Sequence, residues 1–154
     1  MLNISIKNIK VHFRPQQLQN RAKRMTYRLL NKAGGYTRRV MKHSIKRASR
    51  PNQRSQPGQP PLHHNGRINF KETIFYVVDM RVPEVVIGAV LLGGTKANGQ
   101  PVPGILEKGG SVIMERFGKK RSVNILKRPY AVPAFKKMVK KLLPELIRGG
   151  LMRE

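Results

Sequence analysis

An α+β layout is predicted, with an antiparallel sheet packed on a long N-terminal helix and a C-terminal helix. Three observations predict it: one helical stripe about 30 residues long, two alternating apolar pairs of segments that read as hairpins, and a final amphipathic segment. The 154 residues suit one domain spanning 1–154 with extended loops at 49–66 and 93–104.

At the N-terminus, Leu2, Ile4 and Ile6 alternate, and Ile9, Val11 and Phe13 follow after a phase change at Asn8. This predicts a strand with a bulge, stopped at Arg14-Pro15. Leu18, Ala22, Met25, Leu29, Ala33, Tyr36 and Val40 then fall within about 80° of a helical arc. The phase survives Gly34-Gly35, which the stripe places on the polar face, so one helix about 45 Å long is expected. Its length exceeds the roughly 15 Å radius of gyration of a domain this size, so it should protrude or be covered by a neighbour. If the helix is continuous, Gly34→Ala should stabilise it by up to about 1 kcal/mol.

Residues 49–66 are rich in Pro, Gln and Gly and predict a long loop. Phe70 to Met80 and Val85 to Leu92 predict one hairpin around Val82-Pro83-Glu84. A second loop covers 93–104, and Ile105 to Lys108 forms one turn ended by Gly109-Gly110. Ser111 to Phe117 and Arg121 to Leu126 flank Gly118-Lys119-Lys120 as a second hairpin. Pro133 or Ala134 opens the last helix, with Phe135, Met138, Leu142 and Leu146 on its apolar face. Pro144 should kink it and Gly149-Gly150 should end it.

Apolar residues make up 39% and charged residues 25%, enough for a modest core. Lys and Arg number 32 against seven acids, a net charge of +25. The first acid is Glu72, so residues 1–71 hold 17 cations and no carboxylate. Such a half commonly marks nucleic-acid contact, or a surface meeting acidic protein neighbours. Nine Phe and Tyr and no Trp supply few stacking platforms, so DNA contact would be mostly to phosphates and blind to sequence. The candidate contact residues on the long helix are Arg21, Arg24, Arg28, Arg38, Arg39 and Lys42, most of which are expected to face other subunits or the exterior.

Catalytic chemistry is poorly supplied. Without cysteine there is neither a disulfide scaffold nor a zinc-thiolate site. His63-His64 reads as a polar loop pair, because adjacent histidines point apart and no acid lies within eight residues. Gly88 and Gly93 have phosphate-loop spacing, but Gly94 and Thr95 intervene before Lys96. Glu107 and Glu115 are the only plausible carboxylate couple, and no nucleophile is joined to a base. No enzyme, no cofactor and no metal site are expected. No apolar run approaches the roughly 18 residues of a membrane span, and no signal-peptide core is present, so a soluble, non-secreted chain is expected.

Three segments remain. They are Gln59-Pro60-Pro61-Leu62-His63-His64-Asn65-Gly66-Arg67-Ile68, then Ile105-Leu106-Glu107-Lys108-Gly109-Gly110, then Arg128-Pro129-Tyr130-Ala131-Val132-Pro133-Ala134. In that order, over roughly residues 57–147, they resemble the tail-completion or neck proteins of long-tailed bacteriophages, often described as putative tail components. The family pattern has Pro-x-Lys/Arg-Thr-Gly-x-Leu, then aromatic or Leu-Glu-x-Gly-Thr, then Arg-Pro-Phe-x-x-Pro-Ala. This chain departs from it at Asn65, Ile68, Gly110 and Tyr130. The motif positions carried over are Pro61, Gly66, Ile68, Leu106, Glu107, Gly109, Arg128, Pro129, Tyr130, Pro133 and Ala134, in structural roles.

The resemblance implies a virion protein of the head–tail junction, assembled in the host cytoplasm. It implies a homo-oligomeric ring of six or twelve copies around the DNA channel. Its neighbours would be head-closure or adaptor proteins and tail-terminator or tail-tube proteins, with genomic double-stranded DNA as a secondary, sequence-independent contact. The charge opposes self-association, so a weakly associating monomer is expected in isolation. The alternative is a sequence-independent nucleic-acid-binding protein, ribosomal-like or DNA-packaging. Within Arg128 to Ala134, Pro129 and Pro133 should fix the chain direction into the last helix and Tyr130 should anchor it.

Overall fold

The computed structural model describes residues 15–64, 70–90, 96–97, 100–116, 119–145 and 148. The strand expected at 2–13 and the motif positions Gly66 and Ile68 lie outside them, as do Leu146 and Gly149-Gly150. The element order is α1 (Pro15–Ser44), β1 (Ile74–Asp79), β2 (Glu84–Ala89), β3 (Lys96–Ala97), β4 (Gln100–Pro101), α2 (Val102–Lys108), β5 (Gly110–Arg116), β6 (Lys119–Ile125) and α3 (Ala131–Lys137). A π-helical turn, Met138–Leu142, continues α3. This is an α+β fold with a long N-terminal helix, antiparallel hairpins and a C-terminal helix. Among the described residues the strands form three separate two-stranded ladders, β1–β2, β3–β4 and β5–β6.

Helix α1 runs 30 residues without a break at Gly34-Gly35. Pro15 opens it, where a missing N–H costs nothing. Two faces of the helix are used. Leu29, Ala33 and Tyr36, from the stripe visible in the sequence, pack with Met138 and Leu142 of the C-terminal helix. A second face, about a quarter-turn away, buries Gly34, Thr37 and Met41. Met41 and Ile45 join Ile74, Tyr130 and Ala134 in the main core. Thr37 satisfies its buried hydroxyl by donating to the Ala33 carbonyl at 2.8 Å.

The expectation that both glycines lie on a polar face is therefore corrected. Gly34 is buried against β1–β2. A Cβ there would stand 2.5 Å from Tyr76 Cδ2 and 2.9 Å from Val85 Cγ2. Tyr76 cannot swing away freely, because its hydroxyl donates to Asn31 Oδ1 at 2.7 Å. Overpacking of this kind costs about 1–3 kcal/mol, against the roughly 1 kcal/mol alanine gains in helix propensity. Gly34→Ala should thus lower stability by up to about 2 kcal/mol, although the helix is continuous and continuity alone predicted a gain. A denaturant midpoint unchanged or raised in that variant would show that the hairpin can step back.

In the β1–β2 ladder Ile74 pairs with Ala89, Tyr76 with Ile87 and Val78 with Val85, and this row faces α1. Phe75, Val77 and Val86 stand on the other face and are 49%, 67% and 62% exposed. Asp79 and Glu84 lie directly opposite each other, an unfavourable like-charge pair. Arg81 offsets it, with its backbone N–H on Asp79 Oδ1 at 2.8 Å and its Nη2 on Oδ2 at 3.1 Å.

The loop expected at 93–104 holds the β3–β4 ribbon and the start of α2, which is seven residues long rather than one turn. The apolar face expected on the last helix holds at Met138, which is buried, and at Leu142, which packs beside it, but not at Phe135, which is exposed while Ala134 is buried. Pro144 has no N–H to give and a ring that clashes one turn back. The helix widens just before it, and Leu143 N–H reaches the Met138 carbonyl five residues behind.

Candidate functional site: the motif clamp

The second and third motif segments meet at the start of α3. That helix brings no cap of its own. Tyr130 occupies the N-cap position without a side-chain cap, and the first turn holds no acid. Its leading N–H groups would be orphaned. Glu107, at the end of α2, supplies the missing acceptor. Its Oε2 accepts from Tyr130 N–H at 2.9 Å and Ala131 N–H at 3.0 Å, and its Oε1 accepts from Val132 N–H at 2.9 Å. A carboxylate here also faces the positive end of the helix dipole. Both oxygens of Glu107 are thus committed to structure, which removes the one carboxylate the sequence offered for pairing with Glu115.

The flanking motif residues hold Glu107 and α3 in register. Arg128 N–H donates to the Leu106 carbonyl at 2.6 Å, and Gly109 N–H donates to Ile105 at 2.7 Å. Gly109 adopts a φ of +79°, and a Cβ there would meet Lys127 N at 3.1 Å and Ile125 O at 3.2 Å. Glycine is required there both by conformation and by space. The loop leading into the first segment closes over the same strand end. Gly58 N–H donates to the Lys127 carbonyl at 2.9 Å, and Arg128 Nε donates to the Ser55 carbonyl at 3.3 Å. Pro61 is buried, and His63 exchanges backbone hydrogen bonds with Lys46 and Ala48 just past α1.

Tyr130 sits at the centre, 3% exposed, edge-on to Phe70 with ring centroids 5.3 Å apart. Ala134 is buried beside it and Leu106 packs on the same cluster. Pro129 is half-buried, while Pro133 is exposed within the first turn of α3, where its missing N–H is harmless. Burial, and secondarily the Glu107 carboxylate, push the Tyr130 phenol up to about 12. An unfolded tyrosine ionises near 10. The folded preference for neutral phenol therefore contributes fully below about pH 10 and is lost as pH rises through about 12. Between those values the wild type should lose stability relative to Tyr130→Phe. Denaturation midpoints followed from neutral pH to about pH 12 check this, and a difference that stays constant with pH would contradict it.

The six candidate cations of α1 do not form one set. Arg21, Arg24, Arg28 and Arg39 are exposed. Arg38 is turned onto its own chain, with Nε donating to the Ile74 carbonyl at 2.8 Å and its guanidinium 5.5 Å from the Phe75 ring centre. Arg38 is thus not among those that face outward. Lys42 is half-buried. Burial first and then Arg38 hold its ammonium below the usual lysine range, with Glu72 opposing them.

Beside the clamp lies an open cleft of about 640 Å³, lined by Ser55, Leu62, Phe70, Leu106, Ile125 and Arg128 among others. Among the described residues no group of three His, Asp or Glu is placed to hold a metal ion. No helix among them is long and apolar enough to cross a membrane. Compared with protein-family models, curated proteins and solved structures, the chain matches none.

Proposed function

We propose that the chain is a structural protein of the phage head–tail junction, joining head-connector and tail rings around the DNA channel, with no catalytic role. The observation that carries this reading is the convergence of the second and third family-like segments on one internal clamp. Glu107 of the second segment caps the helix opened by the third, and the loop leading into the first closes over the strand end between them. Residues so engaged serve shape rather than chemistry. The exposed apolar face of β1–β2 and the exposed N-terminal half of α1 are surfaces suited to neighbouring subunits.

The test is to silence the gene in the phage or prophage that carries it and to image the particles. Filled heads and finished tails that fail to join support the reading. Normal virions would refute it.

A second reading, a sequence-independent nucleic-acid-binding protein, is favoured by one observation. Helix α1 carries eight cations and no acid, and Arg21, Arg24, Arg28 and Arg39 are exposed on it. If about six cations met phosphates, affinity would fall roughly a thousandfold between 50 and 200 mM salt. Filter binding of purified protein to random duplex separates the readings. Tight binding that persists at about 200 mM salt favours the second.

A further inference from the structure

We infer that the chain associates with a second copy of itself head to tail, the N-terminal half of α1 of one copy seating on the outward face of the β1–β2 hairpin of the next. The inference deepens the ring reading and rests on it only for its biological setting.

Among the described residues one chain offers two exposed apolar surfaces, the hairpin's carrying the Arg38 guanidinium over Phe75. The hairpin presents Phe75, Val77 and Val86 outward, with Val77 and Val86 directly paired across the ladder. The helix presents Leu18, which is 56% exposed, with Ala22 and the half-buried Met25 along the same stripe. The free stretch of the helix, from Leu18 to Met25, spans about 11 Å and fits within the roughly 20 Å of a six-residue strand.

Charge then selects the pairing. Residues 70–90 hold three of the seven acids, Glu72, Asp79 and Glu84, against Lys71 and Arg81. The half of α1 that would seat holds four cations, Arg21, Lys23, Arg24 and Arg28, and no acid. A helix meeting a second helix would crowd cations together, and a hairpin meeting a second hairpin would crowd Asp79 and Glu84. Helix on hairpin is the one combination that sets opposite charges around an apolar centre. Such a contact uses different surfaces on the two copies, so it repeats and can close into a ring. The net charge of +25 opposes it in dilute solution at low salt.

Complementation between two defective variants tests this on the purified full chain. Leu18→Glu spoils the helix side and Val77→Glu the hairpin side, both at exposed positions, with circular dichroism to verify that each is folded. Sedimentation velocity is run at about 0.3 M salt, where the Debye length falls to roughly 5–6 Å and the net repulsion is screened. The wild type should associate with rising concentration, and each variant alone should stay monomeric. Their equimolar mixture should form one-to-one heterodimers and nothing larger, because each supplies the surface the other lacks.

The inference is overturned by a wild type monomeric up to about 1 mM, the range of the weakest specific contacts. It is also overturned if either variant associates like the wild type, or if the mixture stays monomeric. An inert Leu18→Glu beside a disruptive Val77→Glu would point instead to hairpin meeting hairpin. If a variant fails to fold, Ala22→Glu or Val86→Glu replaces it in the same scheme. Because no virion is involved, successful complementation beside normal virions from the silenced phage would spare this contact and sink the neck reading alone.

Discussion

Replacing Tyr130 by alanine is expected to remove about 3–5 kcal/mol of stability, the usual cost of deleting a large buried aromatic ring. The ring is 3% exposed, packs edge-on with Phe70, and joins α1, β1 and α3 through Met41, Ile74 and Ala134. No nearby side chain can fill the space without moving one of three elements. Against a typical total of 5–15 kcal/mol, the loss would leave many molecules unfolded at growth temperature. A guanidinium titration checks it, with the midpoint lowered and the slope unchanged. Tyr130→Phe should be near wild type at neutral pH. If the alanine variant lost less than about 1 kcal/mol, Tyr130 would not be an anchor.

Removing the Glu107 carboxylate should have the next largest effect. Glu107→Ala deletes the acceptor for three backbone N–H groups at the start of α3. A single cap is worth about 0.5–2 kcal/mol, and bonds to a charged group reach about 1.5–3 kcal/mol. The three share one carboxylate and are not additive, so a loss of about 3 kcal/mol is expected. Glu107→Gln keeps one carbonyl acceptor and loses the charge facing the helix end, and should lose about half as much. A hydrogen-exchange measurement localises the effect. Faster exchange at Tyr130, Ala131 and Val132, with α1 little changed, is expected in both variants. Equal stability of the alanine variant and wild type would mean that water replaces the carboxylate without cost.

The long helix was legible because its stripe kept one phase for seven positions, and that stripe does pack on the C-terminal helix through Leu29, Ala33 and Tyr36. Its second face was not legible. Gly34, Thr37 and Arg38 carry no apolar pattern, and the hairpin reaches the helix there because glycine leaves room and Arg38 donates to the edge of β1. Hydropathy detects what a helix buries with its side chains, not where it lets another element come close. The hairpins were read from alternation, with ends displaced by a few residues, yet alternation carries no information on which ladders join. The exposure of Phe135 has a similar cause. Tyr130, before the helix begins, takes the core position that periodicity assigned to the first aromatic residue inside it.

The clamp was half legible. Its residues were found by resemblance, and Tyr130 by its setting between prolines. The role of Glu107 was missed because the bond joins residues 23 to 25 apart in sequence. One signal did exist. The segment Arg128 to Ala134 offers no Ser, Thr, Asp or Asn to cap the helix it begins, so an acceptor had to come from elsewhere in the chain.

The central claim, that this chain is an assembly protein of the head–tail junction, is tested most directly by a cryo-EM map of the particle that carries it. The account predicts a closed ring of this chain between head and tail. Each subunit should hold the Glu107 and Tyr130 clamp internally, with the N-terminal half of α1 against the β1–β2 hairpin of its neighbour. A map that places the chain as a single copy, or anywhere outside the neck, would contradict it.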